Sequence, residues 1–445
     1  MSKQGSAIDQ KTGERLDKIK NADILVGIPS YQSLKSIGRV VIACALGLAK
    51  YFPQKKGVIL ISEGGSVEKT EAVIKELNIE NELDRVFISK PIFQTDILVS
   101  KYLGSSGKGT ALKEIFEAAH ILNVEACCTV DSDLRSITPE WIELLVAPII
   151  IKKFGFVTPY YSRHKYDGTI TNMIAYPLTR ALYGRRVRQP IGGEFGFSSE
   201  LVKSFLSKDV WETDIAKFGI DIWMTTVAIH EKFKICQSFL GVKIHDEKDP
   251  AKSLSPMFIQ VVGTLFQLME MYHNEWIHIQ GSRPTAIWGF ESEFEPRPIK
   301  IDLDNLINTL KINTSRYQGL WKKILSSENY NKIIEIAELD DKYFELPLEL
   351  WVKIIYEFVS AYHKRQEELR TIIEALIPIY FAMVASFVKK TRQLDTYQTE
   401  EIINHYCEIF EDLKPYLINL WTSNPDRFSD NKLDKAGRKN PGKSY

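Results

Sequence analysis

The chain has 445 residues, of which 44% are hydrophobic and 26% charged, and its formal net charge at pH 7 is +0. A chain of this length and composition is typical of a globular protein with two domains, or with one large domain and an appendage. The zero net charge excludes a broad electrostatic attraction to nucleic acid or to an anionic membrane, so any anion site must be local.

The polar segment 1–20 lacks the apolar core of a signal peptide, which indicates a cytoplasmic protein. Segment 372–388 is the most apolar, but it contains Glu374 and Pro378 and is short for a membrane span, so it predicts a buried helix. The cysteines are scattered, lack zinc-type spacing and lie mostly in apolar runs, which predicts buried free thiols. They are Cys44, Cys127, Cys128, Cys236 and Cys407.

Strand-like and helix-like segments alternate in the first half of the chain, which predicts a βαβ domain with a mainly parallel sheet. The predicted strands are 24–28, 57–62, 85–89, 125–130 and 155–161. The predicted helices between them are 37–50, 67–77 and 109–122. Further along, the pattern predicts a helix that opens near residue 218 and a strand that begins at residue 236.

The pattern changes past residue 296, where apolar residues recur with helical periodicity. The periodic runs are 303–311, 346–363, 366–389 and 399–418. We therefore predict a polar N-terminal tail over 1–20, an α/β domain over 21–295 and a helical region over 296–424. The charged, Gly- and Pro-containing segment 425–445 is predicted to be a disordered tail.

Two carboxylates, Asp131 and Asp133, stand one residue apart directly after the predicted strand 125–130. In an open α/β sheet, ligands bind beyond the carboxyl ends of the strands. Carboxylate oxygens there suit Mg²⁺ or Mn²⁺, hard cations that also bind diphosphate. The pair is thus a candidate metal and nucleotide-sugar site, although Asp-x-Asp alone is more often a turn or a helix N-cap.

The loop 104–110 contains three glycines and precedes a predicted helix. Glycines let the backbone approach a ligand, and a helix N-terminus favours anions, so Lys108 is a candidate contact for a phosphate or a base. The spacing of a P-loop is absent. A flexible loop that merely starts the helix is the alternative interpretation.

Residues 188–196 read Arg-Gln-Pro-Ile-Gly-Gly-Glu-Phe-Gly. The adjacent Gly192 and Gly193 indicate backbone pressed against another group, or a forced turn. Gln189 and Glu194 carry hydrogen-bonding groups that suit sugar hydroxyls. We therefore favour a functional segment over a packing turn with a surface Glu.

Three further candidates are ambiguous from the residues alone. Asp221, early in a helix, is either favoured by the helix dipole or projects into a cleft to hold an acceptor hydroxyl or stabilise a cationic sugar. His245, at a strand end, is either a metal ligand or, more often for such a residue, structural. The loop containing Arg163 and Thr171 suits a small carboxylate or is simply solvated.

Taken in this order, the motifs resemble those of the retaining GT-A glycosyltransferases that make compatible solutes. These are mannosylglycerate synthase, glucosyl-3-phosphoglycerate synthase and glucosylglycerate synthase, the last being the nearest in pattern. The likeness runs from about residue 24 to residue 245 and continues weakly through the helical region. Segment 189–194 is its most specific match, and segments 107–109, 131–133 and 138–141 and the helix of Asp221 also match.

The resemblance implies a GT-A domain, which is a Rossmann-like α/β fold with a mainly parallel sheet, followed by an all-helical region. It implies that Asp133 and His245 bind Mg²⁺ or Mn²⁺, and that Asp221 and Glu194 are catalytic. The implied donor and nucleotide contacts are Pro29, Ser30, Glu63, Lys108, Asp131 and Gln189. The implied acceptor contacts are Arg163, Thr171, Gly192 and Gly193.

The implied reaction transfers glucose, or mannose, from a nucleotide diphosphate sugar to D-glycerate and gives an α-glycosylglycerate. ADP-, GDP- and UDP-glucose and GDP-mannose all remain open as donors, and so do a front-face and a covalent route to retention. Phosphoglycerate-using relatives carry an Arg where this chain has Thr169, which favours free D-glycerate over 3-phosphoglycerate. Arg180, Arg185, Arg186 and Arg188 are candidate substitutes for the missing phosphate clamp.

Two other classes compete with this interpretation. A nucleotidyltransferase would carry a Gly-rich, Arg-bearing loop after the first strand, where this chain has Pro29, Ser30 and residues 31–34, so that class is disfavoured. A non-catalytic sugar-nucleotide-binding protein is the second. We expect no nucleic-acid or membrane partner, and the resemblance makes a homodimer reasonable.

Overall fold

The computed structural model describes residues 5–86, 94–216, 219–244, 250–291, 299–365 and 367–423. Its strands form one eight-stranded sheet and one two-stranded ribbon. In chain order they are β1 Ile24–Ser30, β2 Gly57–Glu63, β3 Thr95–Ser100, β4 Ala126–Thr129, β5 Phe156–Ser162, β6 Arg185–Arg186, β7 Phe195–Ser198, β8 Ile235–Val242, β9 Arg283–Pro284 and β10 Ala286–Trp288.

The large sheet has the strand order β10-β8-β5-β7-β4-β1-β2-β3, and β6 pairs with β9 in the ribbon. All neighbouring strands of the large sheet run parallel except β7, which is antiparallel to both β4 and β5. Strands β1 and β2 are buried along almost their whole length because helices cover both faces of the sheet. The predicted α/β class with a mainly parallel sheet is confirmed.

Helices flank the sheet and make up the C-terminal region. In chain order they are α1 Gln10–Ile19, α2 Ile37–Tyr51, α3 Val67–Glu76, α4 Ile79–Val86, α5 Lys108–Ile121, α6 Glu140–Lys152, α7 Tyr176–Tyr183, α8 Ser199–Leu206, α9 Ile220–His230, α10 Pro250–Met271, α11 His273–Trp276, α12 Leu303–Ile324, α13 Ser327–Glu338, α14 Leu348–His363, α15 Leu369–Thr391, α16 Thr396–Asp412 and α17 Lys414–Thr422. A π-helical turn, Thr171–Ala175, precedes α7, and a 3-10 turn, Asp214–Ala216, precedes α9.

One predicted strand is wrong in the part that the structure describes. Residues 85 and 86, which we predicted to begin a third strand, are the last residues of helix α4. The third strand of the structure is β3, which begins at Thr95, and residues 87–93 lie outside the described residues. The apolar pair Ile79 and Leu83, four residues apart, packs one face of α4 against α2. This helical spacing overrides the short β-like run that follows it.

Several helices lie where the sequence pattern did not predict them, among them α8, α10 and α11. In the polar N-terminal segment, Asp9 caps α1 by accepting a hydrogen bond from the backbone of Thr12, and Leu16 is fully buried. In the C-terminal region, Ser326 caps α13, which buries Ile333. The predicted tail over 425–445 lies outside the described residues.

The C-terminal helices share a hydrophobic core with one face of the sheet. The same buried cluster contains Phe116 and Phe197 beside the sheet and Trp351 and Tyr380 on α14 and α15. The indole of Trp351 also donates a hydrogen bond to the carbonyl of Met173, at 3.2 Å. The proposed division at residues 295 and 296 lies outside the described residues, and the core on either side of it is continuous.

Helix α15 contains the apolar segment noted in the sequence. It is long and apolar enough to cross a bilayer, but 78% of its apolar window is buried inside the protein. This burial fits the predicted core helix. All five cysteines are buried and free, as predicted.

A buried acid on α5 makes the stability of the fold depend on pH. Glu114 is fully buried and accepts hydrogen bonds from Ser62, at 2.5 Å, and from Ser100. Burial raises the pKa of Glu114 to about 7, from an ordinary value of 4.5. Because the pKa is raised on folding, the contribution of Glu114 to stability is complete below pH 4.5 and is lost as the pH rises through 7.

We therefore expect the Glu114→Gln variant to become more stable relative to the wild type as the pH rises, since the amide stays neutral while Glu114 ionises. Between pH 5 and pH 8.5 the difference in unfolding free energy, variant minus wild type, should increase by roughly 2 kcal/mol. Urea unfolding at both pH values measures it, with the exposed Glu335→Gln as the matched control. A difference that does not change with pH would contradict the assignment.

Candidate functional site

The direction of the strands brings chemically active residues to one edge of the sheet. Thr129, the last residue of β4, pairs with Phe195, the first residue of antiparallel β7. The carboxyl end of β4 and the amino end of β7 therefore meet, and parallel β8 ends at the same edge. As a result, Asp131, Glu194 and Lys243 follow or precede these strand ends within contact distance of one another.

Lys243 connects the two carboxylates. Its Nζ lies 3.0 Å from Asp131 Oδ2 and 2.8 Å from Glu194 Oε2, and it donates to the carbonyl of Gly192 at 2.8 Å. Glu194 is fully buried and also accepts a hydrogen bond from the hydroxyl of Tyr161. Lys243 was not among the site residues that we predicted from the sequence. The available signal was a cation placed directly after a strand whose parallel neighbour ends in carboxylates.

Lys108 extends this arrangement from the first position of α5. Its Nζ lies 3.2 Å from Asp131 Oδ1 and 3.2 Å from Asp221 Oδ2. A Cβ at Gly109 would come within 2.2 Å of the carbonyl oxygen of Ala216, so only glycine lets the two chain segments pass this closely. Asp221, Lys108, Asp131, Lys243 and Glu194 thus alternate in sign, and we call these five residues the charge network.

Burial and mutual contact shift the pKa values of residues in the charge network. Burial lowers the pKa of Lys108, but Asp131 and Asp221 outweigh it and raise the pKa above its usual value. Burial likewise lowers the pKa of Lys243, and Glu194 and Asp131 outweigh it in the same way. For Glu194, burial raises the pKa above its usual value, and the positive charge of Lys243 opposes that rise. Both lysines are therefore cations at neutral pH and can face an anionic ligand.

The two adjacent glycines shape the backbone beside Asp131. Gly193 has a φ of +91°, and a Cβ there would lie 2.3 Å from Asp131 Oδ2. A Cβ at Gly192 would lie 2.3 Å from Pro159 Cγ. Since neither approach tolerates a side chain, the predicted close contact of the backbone is confirmed.

Three predicted donor contacts lie at the ends of β1 and β2. Ser30 and Glu63 pair across these strands, and the Ser30 hydroxyl donates to Glu63 Oε2 at 2.7 Å. The same carboxylate accepts from the backbone of Gly65 at 2.6 Å and from the hydroxyl of Thr70 at 2.9 Å. Glu63 therefore organises the loop after β2, and Pro29 precedes Ser30 on the same strand end.

Of the two predicted metal ligands, the structure describes only Asp133. Asp133 is half-buried in the turn after β4, whereas His245 lies outside the described residues. The chain just before His245 is tied to that turn: the amide of Arg135 donates to the carbonyl of Ile244 at 2.8 Å, and the amide of Ile244 donates to Ser136 at 2.9 Å. Within the described part of the chain, no group of three or more His, Cys, Asp or Glu side chains could hold a metal ion.

A cavity of 880 Å³ opens beside the charge network, between the loop after β5 and helix α16. Arg163, Arg188 and Gln189 line it, and Arg163 Nε, Arg188 Nη1 and Gln189 Oε1 are buried without a hydrogen-bond partner among the described residues. Burial lowers the pKa of Arg163. Thr171 is buried in the π-helical turn, where its neighbour Asn172 lines the cavity. The cavity thus presents two arginine donors and one amide acceptor, beside carboxylates from Asp167, Glu291, Asp395 and Glu400.

Thr169, which stands where phosphoglycerate-using relatives carry an Arg, does not line this cavity. The Thr169 hydroxyl lies 2.6 Å from the hydroxyl of Tyr380 on α15, so position 169 points at the helical region. Of the four candidate arginines, Arg180 donates to Glu411 at 2.7 Å and Arg186 donates to Ser282 at 3.0 Å. Arg188 is the one of them that lines the cavity.

Comparison with known proteins finds similarity to solved structures of glucosyl-3-phosphoglycerate synthase from Mycobacterium tuberculosis. The complex with Mg²⁺ and uridine diphosphate has 22% identity and a TM-score of 0.41, over 57% of this chain and 82% of that one. The complex with Mn²⁺, uridine-diphosphate-glucose and phosphoglyceric acid has 20% identity and a TM-score of 0.41, over 60% and 86%. No protein-family model and no curated protein sequence matches this chain.

We expect Lys243→Met to destabilise the protein by about 3 kcal/mol, because it leaves the buried Glu194 without its cation. The double variant Lys243→Met/Glu194→Gln should recover a large part of this loss, since the uncompensated charge is then removed. Urea unfolding of the two single variants and the double variant measures the coupling. Additive losses would show that the two side chains do not depend on each other.

Proposed function

We propose that the protein is a metal-dependent retaining hexosyltransferase that moves a hexose from a nucleotide diphosphate sugar to D-glycerate. The observation that carries this proposal is that the charge network and the cavity lined by Arg163 and Arg188 share a wall. The Tyr161 hydroxyl donates to Glu194, while its ring lies 4.9 Å from the Arg163 guanidinium and 5.5 Å from Lys243 Nζ. A donor held at the network and an acceptor held in the cavity would meet at Tyr161.

The donor diphosphate suits the two buried lysines. Lys108 and Lys243 are both cations at neutral pH, and both now neutralise Asp131. A diphosphate at this edge would take over part of that pairing, and its negative charge increases as the bond to the sugar breaks. Fixed cations that face such a developing charge stabilise the transition state more than the ground state.

The proposed metal ligands are Asp133 and His245. A carboxylate is a preferred donor for Mn²⁺ or Mg²⁺, and an imidazole is a common metal ligand. The backbone of Ile244 is hydrogen-bonded to Arg135 and Ser136, in the segment that follows Asp133. A bound divalent cation would supply Lewis-acid stabilisation of the leaving diphosphate. Lys108 and Lys243 act on the same leaving group independently.

The acceptor suits the unpartnered groups in the cavity. Arg163 Nε and Arg188 Nη1 would donate to the glycerate carboxylate, and Gln189 Oε1 would accept a hydrogen bond from one of its hydroxyls. An acceptor hydroxyl would attack the anomeric carbon while the bond to the diphosphate oxygen breaks, and the departing phosphate would take the hydroxyl proton. Glu194 and Asp221 are placed at the network to stabilise the cationic sugar, by a front-face or a covalent route.

A transfer assay tests the proposal directly. Purified protein with Mn²⁺ or Mg²⁺ is mixed with ADP-, GDP- or UDP-glucose or GDP-mannose, each with D-glycerate and separately with 3-phosphoglycerate, and products are identified by mass spectrometry. We expect a hexosylglycerate from D-glycerate and one preferred donor. Donor binding without transfer to either acceptor would support the non-catalytic alternative.

Asp133→Asn should lower kcat by at least about 100-fold at saturating donor and weaken Mn²⁺ binding, because the amide is a poor ligand for a hard cation. Free Mn²⁺, followed by electron paramagnetic resonance, measures the binding apart from activity. The exposed Asp17→Asn on α1 serves as the control. Unchanged Mn²⁺ affinity in Asp133→Asn would remove Asp133 from the metal site.

Arg163→Ala should raise the acceptor KM by about tenfold or more and change the donor KM by less than about threefold, because the charge-assisted contact with the carboxylate is lost. Steady-state kinetics with each substrate varied in turn separates the two. Arg186→Ala, which removes an exposed guanidinium, is the matched control. A parallel rise of both KM values would contradict a role confined to the acceptor.

A further inference from the structure

A bidentate ion pair across the cavity wall joins the two parts of the protein. Arg188 Nε and Nη2 donate to the two oxygens of Glu400, at 2.5 and 2.9 Å. Arg188 precedes the glycine turn of the sheet edge, whereas Glu400 lies on α16 of the helical region, and both line the cavity. The helical region therefore places a carboxylate directly into the proposed acceptor site.

The guanidinium of Arg188 is fixed in one orientation. Its backbone amide donates to Gln237 on β8 at 2.6 Å, and the guanidinium lies 5.2 Å from the centre of the Tyr176 ring. Nη1 is buried and finds no hydrogen-bond partner within the described ranges. Nε and Nη2 of Arg188 are thus occupied by Glu400, and Nη1 is the nitrogen left for a ligand.

The other cations of the cavity are not equivalent to Arg188. Lys165 Nζ donates to the carbonyls of Thr391 and Leu394 at the end of α15, at 2.7 and 2.6 Å, so it is occupied by the helix terminus. Arg163 has an unpartnered Nε, and its nearest carboxylate, Asp167, is 3.9 Å away. Asp167, Glu291 and Asp395 also line the cavity. With Glu400 neutralising Arg188, the Nε of Arg163 is a cationic donor that stays available to an acceptor.

We propose that Glu400 sets the charge of the acceptor, so that the cavity takes a singly charged hydroxy acid and rejects the phosphorylated form. The proposal rests on the proposed function and specifies the substrate class of the same site. A phosphate group would need the fork of Arg188, which Glu400 occupies, and its own charge would be repelled by the Glu400 carboxylate. Specificity would then come from a repulsive element as well as from attraction.

The first test uses inorganic phosphate as the probe and needs no turnover. Glu400→Gln keeps the size of the side chain and one oxygen for Arg188, but removes the negative charge. We expect its affinity for phosphate, measured by isothermal titration calorimetry, to exceed that of the wild type by at least about tenfold. Glu401→Gln, the adjacent and exposed residue of α16, should bind phosphate as the wild type does. Equal affinities in all three proteins would overturn the proposal.

The second test compares acceptors by kcat/KM. In Glu400→Gln the ratio for 3-phosphoglycerate over D-glycerate should rise by at least about tenfold. Glu400→Asp, which keeps the charge, should retain the wild-type ratio. If the pair only held α16 in place, both variants would change the two acceptors in parallel, and that result would contradict the proposal.

The two failures are distinguishable. If the wild type transfers hexose to neither acceptor, the proposed function fails. The phosphate titration still decides in that case whether Glu400 weakens the binding of phosphate. If transfer occurs but the ratio and the phosphate affinity are the same in Glu400→Gln and the wild type, the proposed function stands and the role of Glu400 is wrong.

Discussion

Compensation of buried charge at one edge of the sheet constrains the rest of this structure. Glu194 is fully buried and Asp221 nearly so, and isolated carboxylates at such depth would be very costly. The two lysines offset that cost by standing between the carboxylates, each in contact with two of them. The charge network therefore places two lysines between three carboxylates.

A reversed strand and two glycines bring the members of the charge network together. Strand β7 runs against its neighbours, and this reversal brings Glu194 to the edge where the parallel strands end. Gly193 lets the backbone pass within van der Waals reach of Asp131, and Gly109 lets the first turn of α5 approach the chain before α9. A larger residue at either glycine would separate members of the charge network.

The helical region completes the site and does not merely cover the sheet. It shares a continuous core with the α/β domain, and α16 is held by two arginine–glutamate pairs, Arg180 with Glu411 and Arg188 with Glu400. The second pair reaches the cavity wall, so the packing of α16 and the electrostatics of the cavity are coupled. If the proposed function holds, this coupling lets the helical region influence which acceptor binds.

Sequence reasoning predicted β1, β2, β4, β5 and β8 and the helices α2, α3, α5 and α9, because local apolar patterns and strand ends are legible in one chain. It misplaced β3 and did not predict β7 or β10. It missed Lys243, because the partners of this cation are Asp131 after β4 and Glu194 before β7, which are 112 and 49 residues away in the chain. It placed Thr169 in the acceptor site, but the side chain turns to Tyr380 on α15. The Arg188–Glu400 pair spans 212 residues, a contact that no local pattern could indicate.

The most direct measurement is a calorimetric titration of the wild type with nucleoside diphosphates, with Mn²⁺ present and again after chelation with EDTA. We expect saturable binding of one nucleoside diphosphate with Mn²⁺ and a clear loss of affinity without it, since in the proposed function the lysines and the metal would contact the same diphosphate. Absence of binding for uridine, guanosine and adenosine diphosphates in the presence of Mn²⁺ would contradict the assignment of the charge network as a nucleotide-sugar site.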